Sequence, residues 1–451
     1  MTDALLTDHG PNPATQALLD FAADAQADGT GKRFDGADVS QSGIGSDAAS
    51  HPAWDAARDG LRLAGRQLAG ASLRQGNLPR VNLAGADLSG MDGSNVNLTS
   101  ASVEGANLSG ADLIGAVLTG ANGGEADFSK ALLEDAKFQS CSLRFANFTG
   151  AILDGADLSS ADLWGARLDG VTAERANLES ARLDESYMNA AELTGANLGG
   201  ATLRRARLAK AVLRDANLRG ATLDGADLSN ADLSRATLPN VSLTTSSLTH
   251  VCFAGAWLDR TRMQASALGG MVGEEAKGNL EGAVDSYLVL EGNFRSLGMH
   301  DDESWCYLRR RRVQKQLYWK RSKELYREKE VVPAVAMGAR YVGDVLAEWL
   351  CDYGDSLARV ARAFFITMLA FAIFYKLTGS LHAREGFGVL HRYEWVNYLL
   401  FSLDSMTTVG TSEVALRPTG EMGILLSSLQ TVIGTTLLGL FGFVLGGRIR
   451  S

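Results

Sequence analysis

The strongest constraint on the fold of this chain is a large apolar residue that recurs at almost every fifth position from Leu63 to Leu268. The series covers about 42 positions, and nearly all of them are Leu, Phe, Met or Val. The departures are Gly93, Gly123 and Ala173. A period of five fits neither the helical period of 3.6 nor the two-residue alternation of a strand. The chain must therefore turn a corner every five residues, and four corners make a coil of about twenty residues.

Each repeat has a fixed inside and outside. The residue two positions before the leucine is mostly Ala, as in Ala106-Asn107-Leu108. These two apolar residues point into the coil, while the Asp or Asn between them and the two residues after the leucine point outward. Only a small residue fits the crowded second inward site, and Gly or a small polar residue suits the corner.

This pattern resembles the pentapeptide-repeat family across roughly residues 61–270. The resemblance implies a right-handed quadrilateral β-helix, and about ten coils at the strand spacing of roughly 4.8 Å make a rod about 50 Å long. Some members of the family mimic DNA and bind topoisomerase, but acidic and basic residues nearly balance along this rod, which therefore imitates a polyanion poorly. Since the whole chain also carries a net charge of -9, we do not expect nucleic acid as a partner.

One basic cluster lies late in the repeats and consists of Arg204, Arg205, Arg207, Lys210, Arg214 and Arg219. A step of about twenty residues places Asp184 and Asp224 beside Arg204, and Glu185 beside Arg205. We interpret the cluster as charge ladders between neighbouring coils. A phosphate-binding patch is the alternative.

The segments on either side of the repeats differ from them in composition. Residues 1–60 carry few large apolar groups and are predicted to form a flexible leader. Residues 271–335 are predicted to form a helical hairpin, whose first helix covers Asn279 to Leu297 with Gly298 as its C-cap.

The second helix of the hairpin begins with caps at Asp301 and Asp302. It carries a basic stripe made of Arg309 to Arg312, Lys315, Lys320, Arg321 and Lys323. This stripe is interpreted either as solvated surface or as a face close to an anionic cytoplasmic leaflet, because hydrophobic segments follow it.

The four cysteines, Cys141, Cys252, Cys306 and Cys351, are widely spaced and lack the spacing of metal ligands. We expect reduced, buried thiols and no metal site other than that for permeant monovalent cations. The N-terminal segment has neither a basic region nor a long apolar stretch, so we expect the chain to start in the cytoplasm.

The last part of the chain carries the membrane signals. Residues 336–357 present an apolar face suited to a helix lying in the membrane interface. Residues 363–377, extended at both ends, and residues 423–447 are each apolar enough to cross a bilayer. Basic residues flank the two outer ends, at Arg359, Arg362, Arg448 and Arg450. We therefore expect residues 358–451 to form a transmembrane domain of the inner membrane, with both chain ends cytoplasmic.

Between the two spans, residues 394–406 have the length of a helix but are too short to cross a bilayer. They are followed by Thr407, Thr408, Val409, Gly410, Thr411, Ser412 and Glu413. This plan resembles the two-transmembrane potassium-channel pore family across roughly residues 355–450. The resemblance implies a homotetramer in which the carbonyls of Thr408, Val409 and Gly410, with the Thr408 hydroxyl, hold a dehydrated K⁺ or Na⁺. Phe401 and Asp404 are the expected supports of this filter.

The filter departs from the family, which usually continues Tyr-Gly-Asp where this chain has Thr411, Ser412 and Glu413. The second filter glycine takes a backbone conformation that costs a residue with a Cβ about 1 kcal/mol. We therefore predict weakened selectivity for K⁺ over Na⁺. Asp404 and Glu413 either share a proton and brace the filter, or Glu413 is solvated while Asp404 bonds to backbone amides.

Polar and small residues of the second span are candidates for the lining of the pore. Gln430, Thr431 and Thr435 are predicted to face the cavity, and Gly434 lies near the position where the family often has a hinge glycine. Gly439 and Gly442 are interpreted as permitting close helix packing.

Together these features predict a tetrameric cation channel regulated by its cytoplasmic repeat domain, with the lipid bilayer as its surroundings and a cytoplasmic protein or ligand as partner of the repeats. The alternative is a membrane-tethered scaffold with a non-conducting pore fold. The sequence contains no nucleophile–base set and no phosphate loop, so an enzyme is not expected and no cofactor is implied.

Overall fold

The computed structural model of the 451-residue chain describes residues 54–55, 60–61, 63–354, 356–383, 394–407 and 416–450. The chain divides into two compact units, Met1–Tyr307 and Leu308–Ser451. Most of the predicted leader lies outside the described residues. Its last part contributes strand β1 (Trp54–Asp55), which pairs antiparallel with β2 (Gly60–Leu61).

The repeats form the predicted β-helix. Parallel bridges join residues twenty positions apart, from Gln67 with Asp87 to Ser242 with Arg262. The leucine and alanine of each repeat are buried, as Leu108 and Ala106 show, and the residues at the corners face solvent. The backbone amide of Leu68 donates to the Asp87 carbonyl at 2.7 Å, and the same bond recurs from coil to coil. The period-five interpretation of the repeats is confirmed.

The corners of the coil require a left-handed backbone. The fifth residue of nearly every repeat between 65 and 260 has a φ between +54° and +71°, as for Gly170 (+63°) and Arg175 (+54°). Glycine adopts this conformation without steric penalty, whereas a residue with a Cβ is disfavoured there by roughly 1 kcal/mol. The stacked coils therefore keep many non-glycine corners in a conformation that an isolated peptide avoids.

Side chains on the outer faces form ladders between coils. The Asn97 amide donates to Asn77 Oδ1 at 2.7 Å, and Asn217 donates to Asn197 at 2.9 Å. In the late basic cluster, the Arg204 amide donates to Asp184 Oδ1 at 2.9 Å. An ion pair of 3.7 Å joins Arg205 to Glu185, and one of 2.6 Å joins Arg214 to Asp232. These contacts are those of charge ladders between neighbouring coils.

Helices α1 (Gly273–Ala276), α2 (Leu280–Leu297) and the start of α3 (His300–Arg327) follow the last coil. Helix α2 begins after Asn279, whose side chain accepts the Gly282 amide, and ends at the left-handed Gly298. Helix α3 begins at His300, so Asp301 and Asp302 lie in its first turn and do not precede it as caps. Asp302 instead accepts the backbone amide of Ala265 at 2.9 Å.

Two polar side chains of this helical segment, Glu274 and Asn293, form hydrogen bonds with the backbone at the end of the β-helix. Glu274 accepts the Ala254 amide at 2.9 Å and the Ser286 hydroxyl at 2.6 Å. Asn293 accepts from the Thr261 amide at 3.0 Å and donates to the Thr261 carbonyl at 2.8 Å. The segment therefore provides partners for the last coil, whose backbone groups have no further coil to pair with.

The second unit is helical. It contains α4 (Val331–Cys351), α5 (Leu357–Thr378), α6 (Glu394–Thr407) and α7 (Gly420–Arg450). Strand β3 (Leu381–Ala383) pairs antiparallel with β4 (Leu416–Pro418), so that the chain leaving α5 meets the chain entering α7. The predicted boundary between residues 335 and 336 falls inside α4. Pro333 lies in the first turn of this helix, where backbone amides have no intrahelical acceptor, so its missing N–H does not weaken the helix.

Helix α5 and residues 420–446 of α7 are long and apolar enough to cross a membrane, with mean hydropathies of 1.8 and 1.7. Only 17% of each apolar window is buried within the chain. A core helix of a soluble protein would be mostly buried. Most of the apolar surface of these two helices is instead left exposed by the rest of the chain.

Candidate pore region

The short helix α6 lies against both long apolar helices. Its Phe401 packs edge-on against Tyr375 of α5, with ring centroids 5.4 Å apart, and both side chains are buried. Leu381 of β3 and Leu416 of β4 complete this apolar cluster. Phe401, predicted as a filter support, thus holds the middle of α6 against α5 and the strand pair.

Hydrogen bonds inside the bundle join α6 to both neighbours. The Tyr375 hydroxyl donates to Gln430 Oε1 at 2.9 Å. The Gln430 amide nitrogen lies 3.0 Å from the Ser402 carbonyl and 2.5 Å from its hydroxyl. That hydroxyl donates in turn to the Met368 carbonyl at 2.7 Å. We call these four residues the pore-helix network, after the role predicted for α6.

The pore-helix network is shielded from water. The side chains of Tyr375, Ser402 and Gln430 are fully buried. Since a buried polar group costs free energy when it loses its partner, each member specifies the positions of the others. Gln430 was predicted to face the cavity, but it lies inside the packing of the three helices. Its amide oxygen accepts from Tyr375 on α5 while its amide nitrogen donates to Ser402 on α6.

Gly434 lies one turn after Gln430 and touches the C-terminal end of α6. A Cβ built on it would lie 2.4 Å from both the Cα and the carbonyl oxygen of Met406. No real Cβ comes so close to backbone atoms, so glycine is required for α7 to approach α6 at this point. The predicted hinge position thus faces α6 of its own chain.

The two threonines predicted to line the cavity occupy the more open side of α7. Thr431 is half-buried and Thr435 is exposed. Each hydroxyl donates to the carbonyl four residues earlier, at Ser427 and Thr431 respectively, over 2.9 Å. With the proton engaged by the backbone, the oxygen lone pairs of these hydroxyls stay available on the open side of the helix.

Most of the predicted filter, Thr408 to Glu413, lies outside the described residues. Its first residue, Thr407, ends α6, and its hydroxyl donates to the Leu403 carbonyl at 2.9 Å. Asp404 is half-buried on the last turn of α6. The two hypotheses for Asp404 and Glu413 both involve Glu413, so both stay predictions.

Ion pairs join α3, α4 and α5 on the N-terminal side of the pore region. Arg311 pairs with Asp344, and Lys315 pairs with Glu348. This part of the basic stripe therefore faces acidic side chains of α4. Burial raises the pKa of the Asp344 carboxyl above its usual value, and the positive charges of Arg311 and Lys315 only partly oppose this rise.

The sequence did not predict Tyr375 and Ser402 as partners of Gln430, or the Met368 carbonyl as the acceptor of the Ser402 hydroxyl. The available signal was weak, because a hydroxyl residue inside an apolar segment often bonds only to its own helix. The ion pairs left a clearer signal, since Arg311 and Lys315 are four residues apart on α3 and Asp344 and Glu348 are four apart on α4. Among the described residues, no group of three or more His, Cys, Asp or Glu side chains could hold a metal ion.

Comparison with known proteins gives matches for the repeats. The family model described as pentapeptide repeats matches in 8 copies, and the matched residues include 67–92, 94–122, 126–165, 151–189, 191–230 and 226–264. No curated protein matches the chain.

Among solved structures, the chain is similar to HetL, a pentapeptide repeat protein involved in heterocyst differentiation regulation in the cyanobacterium Nostoc sp. strain PCC 7120. The two are 32% identical over 42% of this chain and 89% of HetL, with a TM-score of 0.25. It is also similar to QnrB1, a plasmid-mediated fluoroquinolone resistance protein, at 19% identity over 43% of this chain and 98% of QnrB1, with a TM-score of 0.29. At these TM-scores neither alignment carries an argument about function.

Proposed function

The chain belongs to the pentapeptide-repeat family through its repeats, and we propose that it is a tetrameric cation channel whose pore is formed by residues 358–451. In this proposal the repeat domain is cytoplasmic and regulates the pore. Both chain ends lie in the cytoplasm, and the two long apolar helices α5 and α7 cross the inner membrane.

The observation that carries the proposal is the way α6 is held. With 14 residues, α6 is about 21 Å long, which is too short for a hydrocarbon layer of about 30 Å. The pore-helix network and the contact between Gly434 and Met406 nevertheless fix it between two helices of membrane-spanning length. A short helix buried in this way supports a re-entrant pore helix, because a polar network at this depth needs protein partners.

The residues after α6 supply the ion chemistry in this proposal. The C-terminal end of a helix carries partial negative charge; Thr407 is the last residue of α6, and Thr408 to Gly410 follow it directly in the sequence. Carbonyls of Thr408 and Val409 replace the water around a monovalent cation, while the departure at Ser412 weakens the outer carbonyl ring. We therefore propose conduction of K⁺ and Na⁺ with little preference between them.

The tetramer follows from what one chain lacks. A single re-entrant helix and its loop cannot surround an ion, whereas four copies enclose a central path. The exposed apolar side chains of the second unit support this assembly, because they need either lipid or another subunit. Examples are Phe365, Leu369, Leu425 and Val432.

Two measurements on the purified full chain test the proposal. Light scattering in detergent should give a protein mass four times the 47.9 kDa of the chain. Proteoliposomes loaded with K⁺ should lose it when diluted into Na⁺ buffer, and Gly410→Asp, which places a carboxylate in the filter, should change this flux. A tetramer that shows no flux, beside a conducting control channel, would favour the membrane-tethered scaffold instead.

A further inference from the structure

A cluster of charged side chains lies where α3, α4 and α5 meet. From α3, Arg312 reaches the Asp352 carboxylate at 3.4 Å and Glu348 at 3.5 Å. Arg311 of the same helix pairs with Asp344 of α4. These contacts join two helices that precede the pore region.

Asp352 extends the cluster to the membrane-length helix α5. Its second carboxylate oxygen lies 3.1 Å from Nη2 of Arg359, in the first turn of α5. The other terminal nitrogen of Arg359 donates to the Glu348 carbonyl at 2.8 Å. Asp352 thus holds a cation of α3 and a cation of α5 at the same time. We call Arg311, Arg312, Asp344, Asp352 and Arg359 the junction latch.

The carboxylates of the junction latch are largely shielded from water. The side chain of Asp344 is 7% exposed and that of Asp352 is 12% exposed. Exposed ion pairs contribute little to the energy of a conformation, whereas removing one partner of a shielded pair leaves a charge with poor solvation. The two shielded carboxylates therefore favour the arrangement of the three helices in which both of them are paired.

The backbone at the same place is in a conformation that needs support. Asp352 and Tyr353 have φ values of +50° and +58°, although neither is glycine. Such residues keep a left-handed conformation only when their surroundings hold them. The support comes from the cations on Asp352 and from the Arg311 guanidinium, which lies 5.2 Å from the centre of the Tyr353 ring. The left-handed conformation of Asp352 and Tyr353 therefore depends on the contacts of the latch.

We propose that the junction latch couples α3 to α5 and thereby transmits movement of the cytoplasmic part of the chain to the pore. Asp352 is the positioning residue, since it alone among these side chains contacts both helices. The proposal rests on the proposed channel function for its effect on gating. Its structural part, that opening the latch frees α5 from α3, stands independently of conduction.

The test uses the full chain in planar bilayers. Asp352→Asn should change the open probability by at least about tenfold, which is a typical strength of coupling between sites, and should leave single-channel conductance and reversal potential unchanged. Arg311→Asp and Asp344→Arg should each act in the same way, and the double variant, which restores an ion pair, should return toward wild type. The control is Lys320→Gln, an exposed cation of α3 outside the latch, which should behave as wild type.

An unchanged open probability in Asp352→Asn, or a double variant no closer to wild type than its parents, would overturn the coupling. If the wild type itself does not conduct, the channel function fails and a distance measurement decides the latch. Spin labels at Gln316→Cys on α3 and Ile366→Cys on α5 should give a narrow distance distribution, because the latch holds the two helices together. The four native cysteines are buried, so the label should react only at the two introduced cysteines. Asp352→Asn should broaden it, and an unchanged width would overturn the latch.

Discussion

Gly434 of α7 lies so close to Met406 of α6 that a Cβ on the glycine would come within 2.4 Å of the methionine backbone. This approach brings together the helix that enters the predicted filter and the helix that would line the cavity below it. The contact lies at the end of α6 next to Thr407, so any displacement there reaches the first filter residue directly.

Gly434→Ala should destabilise the second unit, Leu308–Ser451, by about 1–3 kcal/mol, because neither backbone can move aside without straining its helix. Gly439→Ala is the matched control: the sequence suggested close helix packing at Gly439, but a Cβ there meets nothing within 4 Å in this chain. The midpoint of thermal unfolding in detergent measures both. Equal midpoints for the two variants would show that the helices do not approach as described.

Removal of the central side chain of the pore-helix network should be costly. Gln430→Leu leaves the Tyr375 hydroxyl without its acceptor and the Ser402 carbonyl without its donor, at about 1–3 kcal/mol. Tyr375→Phe should cost less, because it deletes one partner of the glutamine. The double variant should lose less than the sum of the two single losses, since both act on one bond. Strict additivity would mean that the two side chains do not interact.

The corners of the β-helix allow a test of backbone strain alone. Gly170 has a φ of +63°, and a Cβ there meets nothing within 4 Å. Gly170→Ala should therefore lower the free energy of unfolding of the repeat domain by about 1 kcal/mol. Gly292→Ala, in helix α2 and also without a close neighbour, should raise that free energy by up to about 1 kcal/mol. Urea unfolding of both variants gives the comparison, and a loss in Gly292→Ala equal to that in Gly170→Ala would contradict the strained corner.

Glu274, at the end of the β-helix, should make stability depend on pH. Burial raises its pKa above the ordinary 4.5, although hydrogen bonds from Ser286 and backbone amides oppose the rise. A raised pKa in the folded state means that the carboxyl favours folding most below pH 4.5 and that this contribution is lost as the pH rises through the folded value.

Glu274→Gln keeps an acceptor for Ser286 and Ala254 but cannot ionise. The free energy of unfolding of the wild type, minus that of this variant, should therefore fall between pH 4 and pH 8. Urea unfolding at several pH values measures this difference. The contributions of the other carboxylates to the pH dependence are the same in both proteins and therefore cancel. A difference that does not change with pH would contradict the shielded position of Glu274.

The fold of the repeats was predictable because its information is local and redundant. Most repeats place leucine and alanine at the same two positions, so a single departure such as Gly93 leaves the period of five intact. The observed bounds of α2 and α6 also agree closely with the predicted segments, since Gly298 and the apolar pattern mark the ends of these helices.

The contacts between helices were less predictable. The sequence placed Gln430 on a helix correctly, but whether its side chain faces a cavity or α6 depends on how three helices pack together. Asp302 has the sequence position of a cap, yet it bonds to Ala265 because α3 begins two residues earlier. For the basic stripe, the four-residue spacing of charges on α3 and on α4 was visible in the sequence, but which residues pair, such as Arg311 with Asp344, depends on how the two helices pack.

The central claim is that this chain conducts cations through a weakly selective filter, and the reversal potential tests it most directly. Purified protein in a planar bilayer is studied with K⁺ on one side and Na⁺ on the other. A cation current that reverses near zero is expected, because the proposed filter has Ser412 where the family usually has its second glycine. Reversal near the potential of a K⁺ electrode would contradict the proposed selectivity, and a tetramer without current, beside a conducting control, would contradict the channel itself.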